Sequence, residues 1–239
     1  MNEKNVRKGC VDVWNAFMVK GASFSLNDIP FCPTTAKSIP EGLISYSKAK
    51  TIYNNHIKNG HAQFFINKFV HFYNDDIRFD GVESSIWYKY KESLNIIRHF
   101  AGAITPDFST YADFPIPVKI YNTYRMRALG YWLTTKGVTV INNVRWGTSE
   151  TFSYTFDGIP HHSIVAIGAS ASKLRCCENR ALFINGLKKM LEILQPDDIL
   201  IYGEVNHPEI RSLLKNVRIH CFKSETAEYY QEVLFHEQT

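Results

Sequence analysis

Val138-Thr-Val-Ile-Asn-Asn-Val-Arg-Trp146 is a β-branched apolar run that stops abruptly at Asn143, Arg145 and Trp146. Strands covered by helices on both faces read as apolar runs, and the ligands of such sheets gather beyond the strands' carboxyl ends. The stretch therefore marks a central parallel strand and the place where a site belongs.

Working outward, the same unit recurs. Strands are expected at 43–46, 62–66, 102–106, 163–168, 198–202 and 217–222, flanking the run at 138–144. Between them the spacing predicts helices at 48–58 (stopped by Gly60), at 84–100, from Asp113 to Gly137 with Pro115 and Pro117 in the first turn, at 178–195 and at 207–215. In the third of these, Ile116, Ile120, Tyr124, Trp132 and Leu133 keep near-helical spacing. Alternation of this kind argues a mostly parallel α/β sheet, since parallel neighbours need a crossover that is usually helical. About seven units fall short of the roughly 250-residue (β/α)₈ norm, which favours a small or incomplete TIM-like barrel over an open doubly wound sheet. Pro30, Pro33 and Pro40 interrupt regular structure near the start, beyond a short helix at 10–20. Residues 1–40 read as an N-terminal extension packed on the core, and 41–239 as a single α/β domain.

Composition narrows the class without naming the chemistry. The 239 residues are 45% hydrophobic and 21% charged, ordinary for a globular protein. No apolar run approaches the roughly 18 residues of a membrane span, and the amino end leads into no signal-peptide apolar region. No membrane association and a cytoplasmic location are the expectation. Five cysteines without a Cys-x-x-Cys pair indicate neither a disulfide framework nor a zinc ribbon. A net charge of +4 is compatible with a phosphate-bearing partner and short of a dedicated nucleic-acid tail. Glycine-rich nucleotide motifs and a His-x-x-x-His metal spacing are absent, so no transition-metal site is assigned.

Residues at the expected strand ends converge in a closed or nearly closed barrel. They are Asp76 after the second strand, Asp107 and Ser109 after the third, Asn143, Arg145 and Trp146 after the fourth, Ser170 after the fifth and Glu204 after the sixth. Asp107 and Glu204 would face each other across the mouth. Paired carboxylates divide acid and base roles, as in glycoside hydrolysis, or hold a divalent cation. Arg145 and the loop Ser170-Ala-Ser-Lys173-Leu-Arg175, just before a helix, suit a phosphate. Trp146 offers a stacking face, although a tryptophan at a strand end more often caps the core. Arg125 and Arg127 reach the rim if the third helix borders it. A lone Asp in Thr-Pro-Asp-Phe-Ser is more often a turn former than a catalyst, so convergence carries the reading.

The chain also resembles a known family through Phe72-Tyr-Asn-Asp-Asp76-Ile-Arg-Phe79, Thr105-Pro-Asp-Phe-Ser109-Thr-Tyr111, Tyr121-Asn-Thr-Tyr-Arg125-Met-Arg127, Asn143-Val-Arg-Trp146-Gly and Phe156-Asp-Gly-Ile-Pro160. The family is domain of unknown function 4417, met in bacteria, phages and other mobile elements. The resemblance covers roughly residues 28–223, and Asn142 stands where the family commonly carries proline. It implies a phage or mobile-element setting and supplies no established catalytic residues. Two function classes stay open. One is a hydrolase or transferase acting on a nucleotide, nucleic acid or sugar-phosphate, with Asp107 and Glu204 as acid/base groups or metal ligands. The other is a non-catalytic module that engages a nucleotide signal, nucleic acid, or a host or phage protein.

Overall fold

The apolar run becomes the middle strand of a wholly parallel sheet in a computed structural model, which describes residues 4–61 and 63–236. The elements run β1 (Leu43–Ser45), α1 (Tyr46–Lys58), β2 (Ile66–His71), α2 (Tyr90–Ile97), β3 (Phe100–Ile104), α3 (Ile116–Thr135), β4 (Val140–Asn143), β5 (Ile164–Gly168), α4 (Cys177–Leu194), β6 (Asp198–Tyr202), α5 (Pro208–Leu213), β7 (Arg218–Phe222) and α6 (Glu225–His236). Among the described residues the seven strands pair in simple sequential order. Nowhere does that order reverse, so there is no switch point and the doubly wound alternative falls away.

The sheet curls into a half-barrel. At roughly 4.8 Å per strand, β2 and β6 would stand about 19 Å apart in a flat sheet. Yet the rings of His71 and Tyr202, at the ends of those strands, lie 4.3 Å apart. Across the gap between β1 and β7, Glu225 at the start of α6 accepts from the Ser45 N–H at 3.3 Å and pairs with Lys48 at 3.6 Å, while its own N–H donates to the Tyr202 hydroxyl. The concave interior is filled by Phe69, Ile104, Ile141, Ala166 and Leu200, one from each of β2 to β6. Helices cover the convex side through Val70, Ala103 and Val140 on one half and Val165, Ile167, Ile199 and Ile201 on the other.

One seam is built differently. β4 and β5 pair only at Asn142↔Val165 and Asn143↔Ala166, and their connection carries a 3-10 turn, Ser149–Ser153, in place of an α-helix. The N-terminal segment fills the gap. Thr35 donates its N–H to the Val140 carbonyl and accepts the Val140 N–H on Oγ1, Thr34 Oγ1 donates to the Ile164 carbonyl, and the Asn142 amide donates to the Cys32 carbonyl. Backbone groups that the strand ladder leaves unpaired are thereby satisfied.

Several expected elements shift. The second strand is Ile66–His71 and not 62–66 (Ala62 itself lies outside the described residues). The chain after Gly60 is taken up by Phe64, stacked between His56 at 4.1 Å and His99 at 4.3 Å. Within β2, exposed Asn67 and Lys68 hide the apolar pattern. The helix expected over 84–100 is shortened to Tyr90–Ile97 by turns before it and by β3 starting at Phe100, and the one at 10–20 is a 3-10 turn, Ala16–Val19. Helix α6 was not anticipated. The described cysteines are free thiols, and no helix among the described residues is long and apolar enough to cross a membrane.

Helix α3 is pressed against the sheet at Gly130, where an added Cβ would meet Thr105 Cγ2 at 2.5 Å and the buried Cys32 Sγ at 2.6 Å. Alanine for glycine in an open helix position gains roughly 1 kcal/mol. Here overpacking reverses the sign: Gly130→Ala is expected to destabilise the protein by about 1–3 kcal/mol in urea unfolding.

Candidate functional site

The carboxyl ends of β2 to β5 surround a cavity of about 580 Å³. Its floor is set by Asn143, the last residue of β4, which is fully buried. The Asn143 N–H donates to Thr105 Oγ1 at 2.8 Å, fixing the end of β3 beside it. Its side-chain amide donates to Asp107 Oδ1 at 2.7 Å, and its side-chain oxygen accepts from the Tyr73 hydroxyl at 3.0 Å. The second oxygen of Asp107 accepts from Arg145 Nη1 in a close ion pair, and the Arg145 guanidinium lies 5.3 Å from the centre of the Tyr111 ring. Beside this pair Asp76 accepts from Ser109 twice, from Oγ at 2.9 Å and from the backbone N–H at 3.3 Å.

Burial and charge act on these groups in opposite directions. Burial alone would lower the Arg145 pKa, but Asp107, followed by Tyr111 and Asp76, raises it above its ordinary value, so the guanidinium keeps its charge. Burial lifts the Asp76 carboxyl above its ordinary 3.8, and nearby Asp107 adds to the lift, against the hydrogen bonds from Ser109 and the charge of Arg145. Burial also raises Tyr73 well above 10, so it remains a neutral donor to Asn143. His71 is pushed down to about 3 by burial and by Lys48, and stays neutral while its Nδ1 accepts the Tyr73 N–H.

Of the residues expected at the site, Asp76, Asp107, Ser109, Arg145, Trp146 and Ser170 line this cavity, and Asn143 lies directly beneath. Trp146 lines it and rests on α4: a Cβ on Gly186 would fall 2.1 Å from the indole Cδ1 and Nε1, and Phe183 packs 5.4 Å away. Two expected members do not join. Gly203, at φ 104°, turns the chain after β6, and Val205 is buried, which leaves Glu204 exposed and bonded to Asn206 at 3.0 Å. The carboxylate beside Asp107 is therefore Asp76, not Glu204. Arg125 is likewise engaged elsewhere, bidentate to Asp80 at 2.7 and 2.8 Å and stacked on Phe108 at 3.9 Å. It supports the site from behind, donating to Asn122 Oδ1 at 2.6 Å, while the Asn122 amide donates to the Ser109 carbonyl.

Tyr73 and Tyr111 were missed in sequence. Placing β2 at its true end puts Tyr73 two residues past His71, which is the signal that would have found it. Ser170, Ser172, Lys173 and Asn179, from the loop after β5 and the start of α4, also line the cavity. No cluster of three or more His, Cys, Asp or Glu side chains suited to a metal ion occurs among the described residues.

The chain is similar to two phage proteins. It is 34% identical over 163 residues to the Gene 1 protein of Mycobacterium phage L5, covering 64% of this chain and 65% of that protein. It is also 34% identical over 151 residues to the Gene 1 protein of Mycobacterium phage D29, covering 59% and 53%. The chain thus matches between half and two thirds of the length of these relatives. No solved structure matches significantly. Residues 23–220 match the family described as Domain of unknown function (DUF4417), and the chain belongs to that family.

Proposed function

We propose that the strand-end cavity binds a phosphate-bearing ligand the size of a mononucleotide or sugar-phosphate, or the end of a nucleic acid. The observation that carries this is the chemical asymmetry of one cavity. Asp75, Asp76 and the Asp107–Arg145 pair come from the loops after β2, β3 and β4, and Lys173, Ser170, Ser172 and Asn179 from the loop after β5 and the start of α4. Its volume, about 580 Å³, lies within the range of small-ligand sites. Arg145 is already balanced by Asp107, so an anion gains little there. Lys173, beside hydroxyl groups and the amino end of α4, is the better phosphate partner. Sugar hydroxyls or base amino groups then meet Asp76, with Trp146 and Tyr111 offering ring faces.

Hydrolysis or group transfer is the reaction class that fits. Asp107 is held in an ion pair with Arg145, whereas both donors to Asp76 are the neutral groups of Ser109. Proton transfer therefore falls to Asp76, whose raised pKa brings it nearer working pH. The second reading, a binding module without turnover, draws on the same fixed Asp107–Arg145 pair, which resembles scaffolding more than an adjustable acid.

Lys173→Ala is expected to weaken binding of a nucleoside 5′-monophosphate or inorganic phosphate by about tenfold, roughly 1.4 kcal/mol, in calorimetric titration. An unchanged affinity would remove the phosphate assignment. Asp76→Asn should abolish turnover while keeping affinity within a few-fold; wild-type protein inert toward a panel of phosphate esters would instead favour the binder. The pH dependence has a definite sign. A carboxyl whose folded pKa lies above 3.8 disfavours the folded state when ionised, so its contribution to stability improves as pH falls through that raised value and worsens as pH rises through it. In that same window turnover should decline on acidification, and Asp76→Asn should flatten the stability profile there. Gly186→Ala would drive the Trp146 indole toward the cavity, so ligand affinity should drop with little loss of secondary structure by circular dichroism.

A further inference from the structure

A second hollow, of about 470 Å³, lies between the N-terminal extension and the first turns of α3. Trp14, Phe24, Ile120, Tyr121 and Tyr124 line it, with Asp28 also contributing. The ring centroids of Trp14 and Tyr124 are 6.2 Å apart and tilted by 60°, and Tyr121 stacks on Tyr124 at 6.4 Å. This is the outward side of a helix, where polar residues normally sit. Here Lys119, Asn122, Arg125 and Arg127 are buried instead, and the apolar rings are left facing the hollow. The Tyr124 hydroxyl is buried and has no hydrogen-bond partner among the described residues.

A cation already sits at the edge. The Lys4 ammonium lies 2.6 Å from Asp28 Oδ1 and 5.9 Å from the centre of the Phe24 ring. Asp28 is held at φ 59°, in the left-handed region, by a turn in which its N–H donates to the Ser25 carbonyl. Aromatic walls with one carboxylate attract ammonium groups, because the faces of the rings are electron-rich. The Lys4–Asp28 pair is substantially exposed, with side chains 36% and 67% accessible, and exposed pairs of this kind are readily exchanged.

We propose that this hollow is a binding site for a small organic ammonium. Its charge replaces that of Lys4 on Asp28, and its apolar body lies against Trp14 and Tyr124. Lys4 is then an internal competitor that holds the site until a better-fitting cation arrives. The assignment is independent of the strand-end cavity, which shares none of these residues.

The test uses the full chain, titrated by NMR with benzyltrimethylammonium and with neopentylbenzene, its uncharged carbon analogue. The cation should bind saturably, shift the Trp14 indole resonance, and bind about three- to thirtyfold tighter than the neutral analogue. Asp28→Asn should weaken it about fivefold, and Lys4→Met should tighten it by removing the competitor. Equal affinity for charged and neutral probes, unchanged affinity in Lys4→Met, or shifts confined to Trp146 in the other cavity would overturn the proposal. The comparison of the two probes needs no variant and so does not depend on how any substitution folds.

Discussion

Asn143 is a fully buried polar side chain whose main-chain and side-chain groups are all engaged, and the architecture of the rim depends on it. Its N–H reaches Thr105 beyond β3, its carbonyl accepts from Arg127 of α3 at 3.0 Å, its amide holds Asp107 and its side-chain oxygen takes the Tyr73 hydroxyl. Three segments distant in sequence, at Tyr73, at Thr105 to Asp107 and at Arg127, are thus fixed by one residue. Buried polar groups are costly when unpaired and strongly specifying when fully paired. Curling of the sheet brings the end of β2 toward that of β4, and Tyr73 reaches across β3 to Asn143.

The same logic explains the unusual polarity of α3. A helix on an α/β sheet ordinarily turns its apolar stripe inward. In α3 the buried side includes Lys119, Asn122, Arg125 and Arg127, each of which supports a loop at the rim. Lys119, almost wholly buried, donates to the Ala112 carbonyl and pairs with Glu150. Arg127 reaches the carbonyls of Asn143, Thr155 and Asp157, and burial lowers its pKa to about 10, which leaves it charged at neutral pH. These side chains serve loops that lack helices or strands of their own, notably the β4–β5 connection. Its carbonyls would otherwise be buried without partners.

That inversion also marks how far the sequence could be read. The strand around Val140 and the helix around Leu133 were legible because their apolar runs are long and bounded by turn residues. From them followed the parallel order, and from it the gathering of Asp76, Asp107, Ser109, Arg145, Trp146 and Ser170. The periodicity of Ile116, Ile120 and Tyr124 identifies the helix but not its orientation: Ile116 is exposed, and Ile120 and Tyr124 line the outer hollow. Glu204 could not be placed because its direction depends on the backbone turn at Gly203 and on which neighbour is buried. Strand periodicity carries neither. Arg125 was misassigned for a related reason: its carboxylate partner, Asp80, lies forty-five positions away, in a stretch of turns without regular pattern.

The two carboxylates at the site differ in what they can reveal. Asp107 and Arg145 are both largely buried, with side chains 10% and 18% accessible. Removing one partner of such a pair leaves an uncompensated charge and costs about 3–5 kcal/mol, so loss of activity in an Asp107 variant would confound chemistry with folding. Asp76 is less enclosed, and its hydrogen-bond donors come from Ser109 alone. Its ionised form is the one the fold disfavours, so neutralising it relieves a cost while removing any proton acceptor. Function and stability therefore pull in opposite directions at Asp76, which makes it the position where a chemical role can be separated from a structural one.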